Sequence, residues 1–295
     1  MKRFKKFFIN LMAMLMLCVG VVGFSACKED IVSVEIKISA YNVAESSMYS
    51  EDLTFTVDLY RHFAPKTVDK IVEYINSEDK IYENAVFYMN TSKDSQIMMG
   101  DLKFDGENIS QTVLPEIEGE FELNGTIGSN LVNAEGVVGL WRGCYESDDS
   151  YKTSSDARNS GRATWYMPII ASSSLDGNLC LFGKYDLTNS DNVTTLAALK
   201  AVLGSENCYS KYVIFYTGTY DEQNATENYG LTFNFVTLED WTDNYDETEN
   251  TYNDIPVFEA EGNQLETYNY YTIKMPNIDR ATGKSYAGIT SIKIK

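Results

Sequence analysis

The sequence predicts a mainly β domain: a closed antiparallel β-barrel of about eight strands, with two helices and an inserted hairpin and acidic loop. Three observations predict it. Apolar and polar residues alternate with period two early in the chain. Only two stretches have helical spacing. The remaining apolar runs are short and bounded by Gly, Ser or Asp. Closure would leave such a sheet without exposed edges.

The first 26 residues differ from the rest. Lys2, Arg3, Lys5 and Lys6 form a basic start, and residues 7–26 are mostly apolar, the pattern of an export signal. The run ends in Phe24-Ser25-Ala26-Cys27, followed by Lys28-Glu29-Asp30. This resembles a bacterial lipobox, with Phe24 where Leu is usual. The resemblance implies a signal peptide at 1–26, lipid attachment at Cys27, and a short tether at 27–30. A plain signal peptide and an uncleaved anchor are the alternatives, and all three place residues 28–295 outside the cytoplasm. The expected location is the bacterial cell membrane, with the chain anchored as a lipoprotein.

Next come the strands. Val32, Val34, Ile36 and Ile38 alternate with Ser33, Glu35 and Lys37, and Leu53, Phe55, Val57 and Leu59 with Thr54, Thr56 and Asp58. Both patterns are those of half-buried strands. After Ala64-Pro65 the period changes: Val68, Ile71, Val72 and Ile75 form one helical stripe, with Pro65 near its first turn. A second helix is predicted over about 192–203, with Leu196, Leu199, Val202 and Leu203 inward and Gly204 as its stop. Strands are expected at 136–141, 163–170, 179–185, 271–275 and 290–295, and a hairpin from 212–216 and 231–237.

Composition excludes several functions. The chain carries 43 Asp+Glu against 24 Lys+Arg, a net charge of −19. The first 26 residues hold four of those cations and no acid, so the remainder carries −23. Too few cations remain to track nucleic-acid phosphates. Such a surface also repels anionic lipid, so membrane attachment is expected through the acyl chains on Cys27. A single histidine and five scattered cysteines give no metal-ligand spacing, and no cofactor motif is present. Cys180 lies in an apolar run and reads as a buried thiol, while a Cys144–Cys208 bridge is left open. Asp243, Asp246, Glu247 and Glu249 lie in the acidic stretch 238–266. Their spacing does not match an EF-hand, which favours a solvated loop over a calcium site.

Five blocks occur in an order that resembles the cyclophilins. They are the stretch from Phe55 through Ala64-Pro65-Lys66-Thr67-Val68; Tyr82-Glu83-Asn84-Ala85-Val86-Phe87; Met99-Gly100-Asp101; Gly136-Val137-Val138-Gly139-Leu140; and Leu175-Asp176-Gly177 with Phe182-Gly183-Lys184. The likeness covers roughly 31–203 plus the last two strands, and 205–270 looks like an insertion into one domain spanning 31–295. It implies a cyclophilin-like barrel and peptidyl-prolyl cis-trans isomerisation, with proline-containing segments of exported proteins as partners. Uncatalysed, that rotation takes tens to hundreds of seconds.

The resemblance also implies which positions form the peptide site. The family arginine that donates to the twisted amide nitrogen falls on Met89, and methionine donates no hydrogen bond. The family glutamine falls on Met98. The Ser-Gln-Phe-Phe strand becomes Ala163-Thr164-Trp165-Tyr166, a pocket tryptophan becomes Ser174, and a pocket histidine becomes Leu179. Leu175 is kept, and Trp141 stands where the family has a small residue. The expected peptide site is therefore Met89, Met98, Trp141, Thr164, Tyr166, Leu175 and Leu179, with Trp165 in the core and no catalytic residue assigned. Arg142, Arg158 and Arg162 read as surface residues beside Asp148, Asp149 and Asp156. Three readings follow: a weak isomerase homologue, a non-catalytic peptide-binding module, and a structural envelope lipoprotein whose groove Trp141 fills.

Overall fold

The computed structural model describes residues 30–90, 96–100, 102–105, 108–112, 114–142, 158–173, 176–221, 226–237, 245–246, 251–252, 258–260 and 263–295. Contacts divide the chain into 1–30 and 31–295. The expected signal peptide and Cys27 lie outside the described residues, as do Leu175, Ser174 and Cys144.

The elements of the larger unit begin with β1 (Ile31–Asn42), β2 (Ser47–Met48), β3 (Leu53–Tyr60) and helix α1 (Pro65–Asn76). Short strands follow: β4 (Tyr88–Asn90), β5 (Gln96–Met99), β6 (Leu102–Phe104), β7 (Ile109–Gln111), β8 (Val137–Leu140), β9 (Trp165–Pro168) and β10 (Cys180–Lys184). Helix α2 (Ser190–Gly204) precedes the long strands β11 (Tyr209–Asp221) and β12 (Thr226–Thr237). Then come β13 (Tyr245–Asp246), β14 (Thr251–Tyr252), β15 (Phe258–Ala260), β16 (Asn263–Pro276) and β17 (Ala287–Ile294).

The period-two strands form as their sequences require. In β1, Val32, Val34, Ile36 and Ile38 are buried while Ser33, Glu35 and Lys37 are half-buried, and β3 pairs with it at Val34–Val57 and Ile36–Phe55. The pleat sends alternate side chains to opposite faces, so one face of both strands enters the core. Helix α1 begins at Pro65 but buries Thr67, Val68, Ile71 and Tyr74, leaving Val72 and Ile75 half-buried at the edge of the core. Its inward face is thus turned from the expected stripe, because the Tyr74 ring is the larger apolar surface. Helix α2 starts two residues earlier than expected, capped by Asn189, whose side chain accepts from the Asp191 and Asn192 amides.

Two buried polar side chains complete backbone that the elements leave unpaired. Ala64 offers α1 no side-chain cap. Glu120 supplies one from a distant loop, accepting from the Lys66 and Thr67 amides at 3.0 and 2.8 Å. A carboxylate there also complements the positive end of the helix dipole. Asn192 plays the corresponding part for β3. Its amide accepts from Thr56 N at 2.7 Å and donates to Thr56 O at 3.1 Å, where β3 has no strand partner on that side.

One large antiparallel sheet runs in the order β12-β11-β16-β4-β5-β9-β8-β10-β3-β1-β17, with β15 and β2 as side branches. The expected closed barrel of about eight strands is corrected here: among the described residues no sheet closes, and the continuous path has eleven strands. The reason lies at β4. Its free edge is taken by β16, which pairs Ile273 with Asn90 and Lys274 with Met89 and leads on to β11 and β12. On this side, strand β17 meets the residues before β4, through the bridge at Val86–Gly288 and the bonds Phe87 N to Ala287 O, Ile289 N to Ala85 O and Asn84 N to Ile289 O.

The main core lies between this sheet and the two helices, around Ile36, Phe55, Val68, Trp165, Phe182 and Leu199. A second apolar cluster includes Tyr88, Met98, Trp141, Tyr166, Leu179 and Ile273. Cys180 and Cys208 are buried free thiols.

Replacing Glu120 with Ala is expected to lower stability by about 1–3 kcal/mol, because two helix amides lose a charged acceptor. The midpoint of urea unfolding measures this, and an unchanged midpoint would deny the carboxylate its capping role.

Candidate functional site

The second cluster is built on four neighbouring strands. Cross-strand pairing aligns Tyr88 with Met98, Met98 with Tyr166, and Tyr166 with Gly139. One row of side chains therefore crosses β4, β5, β9 and β8 on a single face. Gly139 is needed in that row: a Cβ there would lie 2.3 Å from Cε1 of the Tyr166 ring. The Tyr166 hydroxyl donates to Asn133 Oδ1 at 2.9 Å, which holds the ring in place. Trp141 packs edge-to-face on Tyr166, with centroids 5.9 Å apart and planes at 71°. Leu179, Leu181 and Val137 complete the surroundings.

Four of the seven expected site residues, Met98, Trp141, Tyr166 and Leu179, meet in this cluster. Thr164 is buried just before β9, where its carbonyl accepts from the Trp141 amide at 2.9 Å. Leu175 lies outside the described residues. Met89 does not join the others. It pairs with Ile97 and packs, half-buried, against the main core on the opposite face. The residue that sequence reading passed over is Tyr88, one position earlier. The signal was strand alternation: a residue whose partner is Met98 shares its face.

Trp165 is in the main core as expected, its indole N–H donating to the Tyr82 hydroxyl at 3.2 Å. Of the three arginines expected at the surface, Arg142 is buried, while Arg158 and Arg162 are half-buried. Arg142 is only 4% exposed; its Nε donates to Asn178 O at 3.1 Å and its guanidinium lies over the Phe121 ring. Arg158 donates to Leu123 O at 2.9 Å, and Arg162 pairs with Glu116 at 3.4 Å. The loop around residues 116–123 binds both of these groups. Asp148, Asp149 and Asp156 lie outside the described residues. His62 sits exposed in the turn after β3, against Tyr60 and Phe63.

The arrangement is a dry, filled aromatic site. Trp141 and Tyr166 are 4% and 0% exposed. The side chains of the row itself carry no cation, and Tyr166 has already committed its proton to Asn133. Nor does the neighbouring thiol offer a nucleophile. Cys180 lies in the main core beside Thr67 Oγ1 at 3.3 Å, and burial pushes its pKa up to about 12. A cleft of about 270 Å³ opens beside the cluster, sharing Leu179 and Leu181 with it.

Two measurements follow from this geometry. Met89→Arg places a guanidinium on the core face of β4, so a loss of roughly 1–3 kcal/mol in urea unfolding is expected, with no gain in prolyl isomerisation. Cys180 should resist alkylation by iodoacetamide at pH 8 in the folded protein and react once denaturant is added. Rapid labelling of the native chain would contradict its burial.

No family model and no curated protein matches the chain. Among solved structures it is similar to a cyclophilin-type peptidyl-prolyl cis-trans isomerase of Cryptosporidium parvum. The form with the dipeptide Ala-Pro aligns at 14% identity and a TM-score of 0.34, covering 56% of this chain and 84% of that one. A second structure of the same protein aligns at 14% identity and a TM-score of 0.35, covering 70% and 98%.

Proposed function

We propose that this chain is a cyclophilin-like module that engages extended, proline-containing segments of exported proteins, with prolyl isomerase turnover weak or absent. The observation that carries the reading is the filled row. Trp141 covers Tyr166, the ring at the family's proline-pocket position, and Met89, at the arginine position, faces the other side of its strand. Isomerisation by this family needs a donor aimed at the amide nitrogen in the twisted transition state. Loss of one such donor typically costs about 2.7–4 kcal/mol, a factor of 10² to 10³ in rate. The apolar side chains that would receive a proline ring, Tyr166, Met98 and Leu179, are kept but buried, Tyr166 beneath Trp141. The order of the five sequence blocks supports the family reading.

Export and anchoring belong to the same proposal. The basic start, the apolar run and the Ala26-Cys27 junction support a lipoprotein held at the membrane by Cys27. Mass spectrometry of the membrane form checks it: a diacylglycerol adduct on Cys27 is expected, and an unmodified thiol would reject lipidation.

The functional test assays the purified chain for X-Pro isomerisation and titrates it with an Ala-Pro-containing peptide by chemical shift. Peptide-induced shifts near Tyr166 and Leu179 with negligible turnover are expected. Trp141→Ala uncovers Tyr166 and should tighten peptide binding, while removing a buried indole costs about 3–5 kcal/mol of stability. Turnover comparable to an arginine-bearing cyclophilin would refute the non-catalytic part. Absence of binding by both forms would leave the structural reading instead.

A further inference from the structure

We propose that the cleft beside the aromatic cluster receives a Lys or Arg, with an apolar neighbour, from an extended polypeptide. The idea rests on the preceding reading only for the class of ligand. One wall is the loop 121–132, and the other is Asp176, Gly177, Leu179 and Leu181. At about 270 Å³ it falls just below the range of small-molecule and cofactor pockets, roughly 300–1,000 Å³, and suits one or two side chains.

Its chemistry is two-sided. Glu122 and Asp176 stand in the lining with no Lys, Arg or His beside them. Among the described residues neither carboxylate is in an ion pair. Arg142, the nearby cation, is turned behind the wall onto Asn178 O and the Phe121 ring. At the mouth, Ile127 is 100% exposed and Val132 60% exposed, and both line the cleft. Two carboxylates in the lining, next to exposed aliphatic surface, match a long side chain with an apolar stem and a cationic head. Leu179 and Leu181 belong to the aromatic cluster as well. A peptide lying in the cleft thus continues towards Tyr166.

The walls are already in place for a ligand. The Leu123 amide donates to Gly177 O at 3.0 Å, and the Asn133 amide donates to Asp176 Oδ1 at 2.7 Å. The Thr126 hydroxyl donates to Phe121 O at 2.9 Å, folding the loop on itself. Glu122 lies against Gly177, where a Cβ would meet its Oε2 at 3.1 Å. Little ordering is therefore left for binding to impose.

The test is a fluorescence-anisotropy titration of the purified full-length chain with four labelled extended peptides. Two carry Lys-Leu and two carry Glu-Leu at the same position, each with and without a proline. The Lys-Leu peptides are expected to bind tighter, and the preference to shrink as salt shortens the Debye length from ~30 Å at 0.01 M to ~3 Å at 1 M. Glu122→Gln and Asp176→Asn should each reduce the preference about twofold to fivefold, the range of a partly exposed ion pair. Ile127→Ser, at a fully exposed position, should weaken all four peptides without changing the fold. Glu78→Gln, an exposed site elsewhere, separates local from net charge and should change nothing.

Equal affinity for Lys-Leu and Glu-Leu would overturn the assignment. So would a preference that survives the Glu122→Gln/Asp176→Asn double variant, or an equal loss from Glu78→Gln. A charge preference without proline dependence supports the cleft and removes the proline reading. Proline dependence without charge preference does the reverse. Absence of binding by all four peptides overturns both.

Discussion

Successive side chains of a strand point to opposite faces, and β4, β5, β9 and β8 have an apolar cluster on each face. Every residue of β5, β8 and β9 is buried, and the large apolar side chains among them divide between the two clusters. This two-sided burial is the constraint on which the site depends. It sends Tyr88, Met98 and Tyr166 one way and Met89, Ile97 and Met167 the other. A one-residue slip in register would exchange the two sets entirely. It also makes a charged donor costly on the core face of β4, where Met89 packs half-buried against the main core.

Sheet and helices are joined by a few polar side chains that finish backbone hydrogen bonding. Glu120 caps α1 from beyond the strands that separate them in sequence, and Asn192 stands in for a missing strand beside Thr56. Buried backbone groups left without partners are costly, so such residues determine which surfaces can meet. The Glu120 loop continues through Phe121 and Glu122 into the wall of the cleft. The same segment thus secures a helix and shapes the one cavity described here that abuts the aromatic cluster.

The aromatic site and the cleft are contrasting solutions to neighbouring surfaces. In the first, Trp141 and Tyr166 pack edge-to-face and exclude solvent. In the second, Glu122 and Asp176 face open space beside exposed Ile127 and Val132. Fold does not decide function, and here the polar groups open to solvent lie beside the aromatic cluster more than within it.

Local pattern alone determined a good deal. The alternation in β1 and β3, the start of α1 at Pro65, the inward leucines of α2 and the hairpin of β11 and β12 all follow from residues close in sequence. Those features depend on period and on turn chemistry, which a short window contains. The grouping of Met98, Trp141, Tyr166 and Leu179 was also legible, through ordered motifs. The facing of β4 was not: in strands buried on both sides the apolar run is continuous and carries no period to read. Nor was the open end of the sheet, since β16 reaches β4 from more than 180 residues away and only pairing decides which strand takes a free edge. The burial of Arg142 and the capping by Glu120 likewise depend on loops meeting across the fold. Tertiary structure alone decided these, because each rests on a partner far away in the chain.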